Sequence, residues 1–174
     1  MKKFYLFTAI LISTIFFSQY TLAESVYFID FQKVLNESVA GKNAQATLKK
    51  RYTADSKKYK NLEKEIKKEE KNLISQKKII TSEEYSKQVG VLRNKVAKLN
   101  VDKQKSLNGL AKLRNSAKIN LQKKLVPIMT SYMKKKNIKM VVDKKSVVLG
   151  DPAFEITNII IEILNKELKS ISLK

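Results

Sequence analysis

Residues 42–124 constrain the fold more than any other part of the chain. Across these 83 residues there is no proline and there are two glycines, Gly90 and Gly109. Apolar side chains recur there at heptad-like spacing on a strongly basic background. The stretch holds 24 Lys and Arg against 8 Asp and Glu, a net charge of +16. A helix-forming run with one narrow apolar stripe predicts long helices packed along a seam. That stripe is too thin for a globular core, and the charge sets such rods against one another. They need an anchor elsewhere in the chain, and their surface suits an acidic or apolar partner.

The seam can be followed residue by residue. Tyr52, Tyr59, Ile66, Leu73 and Ile80 recur every seven residues, with Leu48 and Leu62 on companion positions and Asp55 and Glu69 as interruptions. In the second half Tyr85, Val89, Leu92, Val96 and Leu99 alternate at three and four. Lys103 and Ser106 interrupt before Leu110, Leu113 and Ala117 resume. Seven-residue spacing predicts a left-handed coiled coil. Between the halves, Thr81 and Glu84 fit a capping box that starts a new helix. The expectation is a break near 78–82 and an antiparallel hairpin over 42–136, each arm helix about 60 Å long at about 1.5 Å per residue. The returning helix continues through Leu121, Leu125, Ile128 and Tyr132, with a kink expected at Pro127. Lys134, Lys135 and Lys136 suit its last turn, and Asn137 its end. Gly90 and Gly109 are expected to soften the arm.

The two ends differ from the arm. Val26 to Phe31 is rich in aromatic and β-branched residues and predicts a strand. Asp30 is placed to cap a short helix through Phe31, Val34 and Leu35, and Asn36, Ser38 and Gly41 mark a weakened turn or a kink. Beyond the arm, Ile138–Asp143 and Ser146–Leu149 read as two short strands turning at Lys144 and Lys145. Asp151 and Pro152 then signal a helix start, with Ile156, Ile160, Ile163 and Leu164 on one face. The fold class is therefore α+β and mostly helical. A small β-rich body built from 24–41 and 137–174 carries the hairpin. Three short strands and one helix make a marginal core with open edges. Sharing that body between subunits remedies both weaknesses, and Val26, Phe28, Val142, Val147 and Leu149 are the candidate oligomerisation residues.

The N-terminus bears on the compartment. Lys2 and Lys3 precede an apolar run from Phe4 to Phe17, and the segment Thr21-Leu22-Ala23 offers small residues, Thr21 and Ala23, before Glu24. This is the plan of a secretory signal peptide over 1–23, cleaved after Ala23. The run is shorter than the roughly 20 residues of a spanning helix, which argues against an uncleaved anchor. From Glu24 onward the chain carries 34 basic and 16 acidic residues, and three of the basic ones are arginine: Arg51, Arg93 and Arg114. With no cysteine, neither a disulfide nor a lipid-modified cysteine is available. With no histidine, His/Cys zinc sites and histidine-based triads are excluded. The scattered carboxylates, mostly flanked by lysine, suit surface pairing better than acid–base work. No enzyme, cofactor or metal is expected. Export and the absence of stacking aromatics interleaved with arginine argue against nucleic acid.

Two segments then resemble a known family. One is "VYFIDFQKVLNES" followed by "GKNAQATLKK", and the other is "IKMVVDKKSVVLGDPAFEITNIIIEILNK". Val26 to Leu35 and Ile138 to Leu164 are similar in order to the OmpH/Skp family of periplasmic chaperones, while the arm matches in length and character alone. The resemblance implies a homotrimer whose small β-barrel is shared by three subunits, with helical hairpins surrounding a cavity. It also implies an ATP-independent holdase that keeps unfolded outer-membrane proteins from aggregating. The scarcity of arginine departs from the family, and no residues are assigned to its lipopolysaccharide contact. On this reading the basic arms attract clients, and Val91, Val101 and Ile119 offer non-directional contacts. The alternative is a structural or adhesive envelope protein whose arms bind anionic lipid or lipopolysaccharide.

Overall fold

The computed structural model describes residues 26–173. The signal-peptide reading of 1–23 lies outside the described residues. Strand β1 spans Val26–Ile29 and leads at once into helix α1, Phe31–Glu37. Asp30 caps α1, its carboxylate accepting the backbone N–H of Lys33 at 2.8 Å. Ser38 is extended (ψ 150°) and separates α1 from α2, Val39–Gln76. Its buried hydroxyl accepts the N–H of Gly41 at 3.1 Å. This corner is the weakened turn legible around Asn36–Gly41. It requires glycine, because a Cβ on Gly41 would lie 2.1 Å from the carbonyl oxygen of Leu35.

The 38 residues of α2 extend about 57 Å. The chain reverses over 77–81 and returns as α3, Ser82–Lys136, 55 residues. Thr81 caps α3, accepting the N–H of Glu84 at 3.2 Å. Glu83 and Glu84 occupy the first turn, where negative charge meets the positive end of the helix dipole. The fold-back is where the capping residues place it. The helix runs on through Pro127 and closes at Asn137, whose φ of 54° is left-handed. Lys134, Lys135 and Lys136 fill the last turn.

Along the arm the two helices share a thin seam. Leu73 and Leu99 are buried, whereas Tyr52, Leu62 and Val96 remain exposed. Polar bonds supplement the seam. The Tyr59 hydroxyl donates to the carbonyl of Asp102 at 3.1 Å, and Lys103 and Lys95 reach Glu63 and Glu69 at 2.6 Å. The side chains of both ion pairs remain largely open to solvent, so the pairs add little to stability.

At the root, β1 pairs in parallel with β2, Met140–Asp143, from Val26 opposite Met140 to Ile29 opposite Asp143. Parallel neighbours need a crossover, and here the crossover is the whole arm. Helix α4, Thr157–Glu167, closes the body. The core joins Ile29, Val34 and Ala40 to Leu121, Leu125 and Ile128 of α3 and to Ile156, Ile160, Ile161 and Leu164. Each fully buried Leu or Ile contributes about 1.5–3 kcal/mol. Of the face expected on the last helix, Ile163 is only half-buried, and Ile161 takes its place in the core.

Two expectations for the C-terminal part are corrected. Ser146–Leu149 is not a strand. Lys144–Ser146 forms a 3-10 turn capped by Asp143, and Val148 and Leu149 are almost wholly exposed. The residue types favour a strand, but among the described residues no neighbouring edge pairs with them. Among the described residues the body thus holds two strands and one isolated bridge, Phe28 to Glu155, rather than three strands. Asp151 and Pro152 do begin a turn, with Asp151 accepting the N–H of Ala153 at 2.8 Å. That turn is a 3-10 turn, Pro152–Phe154. The N–H of Ile156 is drawn to the carbonyl of Phe28 at 3.0 Å, so Glu155 stays extended and the helix starts afterwards.

Candidate functional site

Two surfaces stand out, one on the body and one on the arm. On the body, the five residues singled out by sequence all line one cavity of about 500 Å³. Phe28 and Val142 face each other in the β1–β2 register. Val26 is half exposed, Val142 and Val147 are half-buried, and Leu149 is open to solvent. Phe28 is only 6 % exposed, so most of its ring already packs within the protomer. A Cβ on Gly150 would lie 3.1 Å from that ring, so a small residue lets the loop cross it. Val148, not singled out from sequence, is the most exposed apolar side chain here. Its valine–valine–leucine setting was the available signal. Among the described residues, no strand pairs with the outer edge of β2.

A polar chain braces this body from below. The buried Thr157 hydroxyl accepts the N–H of Asp30 and donates to Glu155, both at 2.8 Å, and Glu155 accepts from Lys144 at 2.8 Å. The Lys144 bond holds the Glu155 carboxyl below its usual range against the opposing effect of burial. The same bond raises Lys144.

On the arm, Val91, Val101 and Ile119 are exposed, as are Ile74, Leu107 and, near the tip, Ile79. They are scattered over a surface dominated by lysine. Glu63 is held below the usual carboxylate range by the hydrogen bond and charge of Lys103. At the root of the arm a groove of about 710 Å³ opens between α2 and α3, with Leu48 and Leu110 among its apolar walls. Lys49, Arg114 and Lys118 supply its charge, and no Asp or Glu lines it. Ile171, from the segment after α4, forms one wall. Among the described residues, no group of acidic side chains could hold a metal ion, and no helix is long and apolar enough to cross a membrane.

This architecture, a small mixed body carrying a long helical hairpin, has known relatives. The profile of the OmpH-like outer membrane protein family matches residues 25–164. The chain belongs to that family. Its fold is similar to the crystal structure, at 2.83 Å resolution, of a candidate OmpH-like outer membrane chaperone from Caulobacter crescentus. The TM-score is 0.79 at 18% sequence identity, covering 90% of this chain and 94% of that one. No curated protein matches the sequence.

Proposed function

We propose that this protein is an ATP-independent holdase of the periplasm, exported by a signal peptide over 1–23 that is then removed. It binds unfolded outer-membrane proteins between the arms of a homotrimer and keeps them from aggregating. The observation that carries this reading is the arm itself. It presents isolated apolar side chains, Val91, Val101, Leu107 and Ile119, on a strongly cationic rod rather than gathering them into a core. Long-range attraction raises the encounter rate with acidic segments, and dispersed apolar contacts hold a chain without fixing its conformation.

The trimer rests on the body. Val26, Phe28, Val142, Val147 and Leu149 border one cavity against the β1–β2 pair, and among the described residues the outer edge of β2 has no partner strand. A second copy supplying a strand to that edge would cover both. The chemistry requires no catalysis and no cofactor.

Dilution of a urea-unfolded outer-membrane barrel protein into buffer tests the reading. Suppressed light scattering at one trimer per client is expected, weakening as salt rises. Unchanged scattering overturns it. Binding to anionic liposomes without suppression would instead support lipid adhesion.

A further inference from the structure

The groove at the arm root is bordered at one place by the chain's own C-terminal segment, through Ile171. After α4 the backbone turns extended at Leu168 (φ −134°, ψ 116°) and crosses the root. Two asparagines hold it, one from each arm helix. Asn43 donates its side-chain amide to the carbonyl of Lys169 at 2.8 Å, and Asn120 donates to that of Ser172 at 3.0 Å. Between these two points Ile171 enters the groove wall.

This is how a protein reads an extended polypeptide without reading its sequence. Side-chain amides that bond to main-chain carbonyls accept any residue, and an apolar recess accepts any apolar side chain. The recess stays open with Ile171 in its wall. At about 710 Å³ it falls within the roughly 300–1,000 Å³ of ligand clefts. Its three cations face no lining carboxylate, so a segment with an acidic residue beside an apolar one is complementary. Both amide bonds to the tail are solvent-exposed, and beyond Leu168 the apolar anchor it adds is the half-buried Ile171.

We infer that the groove between Leu48 and Leu110 is a docking site for an extended apolar–acidic segment of an unfolded polypeptide. Residues 169–173, through Ile171, narrow that site in cis and so compete with the incoming chain. The inference rests on the holdase reading and names a site and a competitor for it.

The test uses a fluorescein-labelled decapeptide of alternating Val and Thr with one Asp, titrated against the full chain and against the chain ending at Leu168. Removal of the tail is expected to tighten binding several-fold, and Leu110→Asp in the truncated chain to abolish the gain. The Asn43→Ala, Asn120→Ala double variant keeps the whole tail and should tighten binding in the same direction. Circular dichroism and light scattering confirm an unchanged fold and assembly. Unaltered affinity in both the truncated and double variants overturns the inference. So does a gain seen with phosphatidylglycerol vesicles and not with the peptide. The aggregation assay on the full chain reads the holdase function separately. Suppression there with unaltered peptide affinity in both variants overturns the inference and leaves the holdase reading standing, whereas no suppression defeats the holdase reading.

Discussion

Ser106 donates its hydroxyl to the carboxylate of Asp55 at 2.5 Å across the arm. Each interrupts the apolar seam of its own helix. The interruptions at Lys103 and Glu69 are likewise answered, by Glu63 and Lys95. Gaps in the seam are thus polar pairs spanning the hairpin, and they favour one register over slipped alternatives whose apolar residues would match nearly as well. Asp55→Ala and Ser106→Ala should each cost about 1 kcal/mol, with a coupling of about 0.5–1.5 kcal/mol in a double-mutant cycle. Urea denaturation checks this, and additive effects would show that the pair does not couple.

The glycines of the arm separate by position. Gly41→Ala forces a Cβ against the carbonyl of Leu35 at the corner between α1 and α2, which should destabilise the protein by roughly 1–3 kcal/mol. Nothing lies within 4 Å of a Cβ on Gly90 or Gly109. Alanine at either should stabilise by about 0.5–1 kcal/mol. Thermal melts of the three variants measure the contrast, and a destabilised Gly90→Ala would refute it.

On the body, exposure decides which substitution reports on assembly. Phe28 is largely buried within the protomer, so a charge there threatens folding as well. Val148 and Leu149 are exposed and support little in the lone subunit. Val148→Asp with Leu149→Asp should leave the circular dichroism spectrum intact while multi-angle light scattering falls to the mass of one chain. A full trimer from that variant would move the interface elsewhere.

Stability should fall on the acid side. Glu63 and Glu155 have carboxyls lowered from an ordinary value of 4.5 by Lys103 and Lys144 respectively. Below 4.5 the unfolded chain binds protons that the folded chain still refuses. The contribution is therefore complete above that value and is lost as pH falls through the folded pKa values. The melting temperature should be nearly level from neutrality to about pH 5 and decline below. Glu63→Gln and Glu155→Gln should flatten the decline, and an equally steep one in both would contradict the assignment. Lys144, raised from 10.5, acts at the other end. Its contribution is complete below 10.5 and disappears as pH climbs through the raised value.

The arm is also fastened by a bond far from it in sequence. Asn165 of α4 accepts the N–H of Val39, the first residue of α2, at 2.7 Å. Asn165→Ala orphans that donor at the helix start and should cost about 1–2 kcal/mol. Hydrogen exchange of the amide at 39 should accelerate, and an unchanged rate would count against the fastening.

Local chemistry made much of this fold legible. Asp30, Thr81 and Asn137 mark boundaries because a cap is decided by a few adjacent atoms. Leu121, Leu125 and Ile128 declare a buried face by spacing alone. What stayed hidden depends on distant partners. The valines after Lys145 have strand-forming side chains, yet a strand exists only beside another edge. Asp151 and Pro152 start a turn whose continuation is halted by Phe28, a residue more than a hundred positions earlier. The asparagines that hold the C-terminal segment are ordinary exposed helix residues until the fold brings the two together.

Both feet of the hairpin stand in the same core, α2 through Ala40 and α3 through Leu121, Leu125 and Ile128. A single rod would swivel at its base. A doubled one cannot, unless one helix shears past the other through densely packed side chains that resist sliding. Bending is therefore expected further out, beyond Leu73, where Ile74 and Ile79 are exposed. In the homotrimer proposed above, the spacing between neighbouring tips would vary while the roots kept their positions, giving a gripper with compliant fingers on a stiff palm.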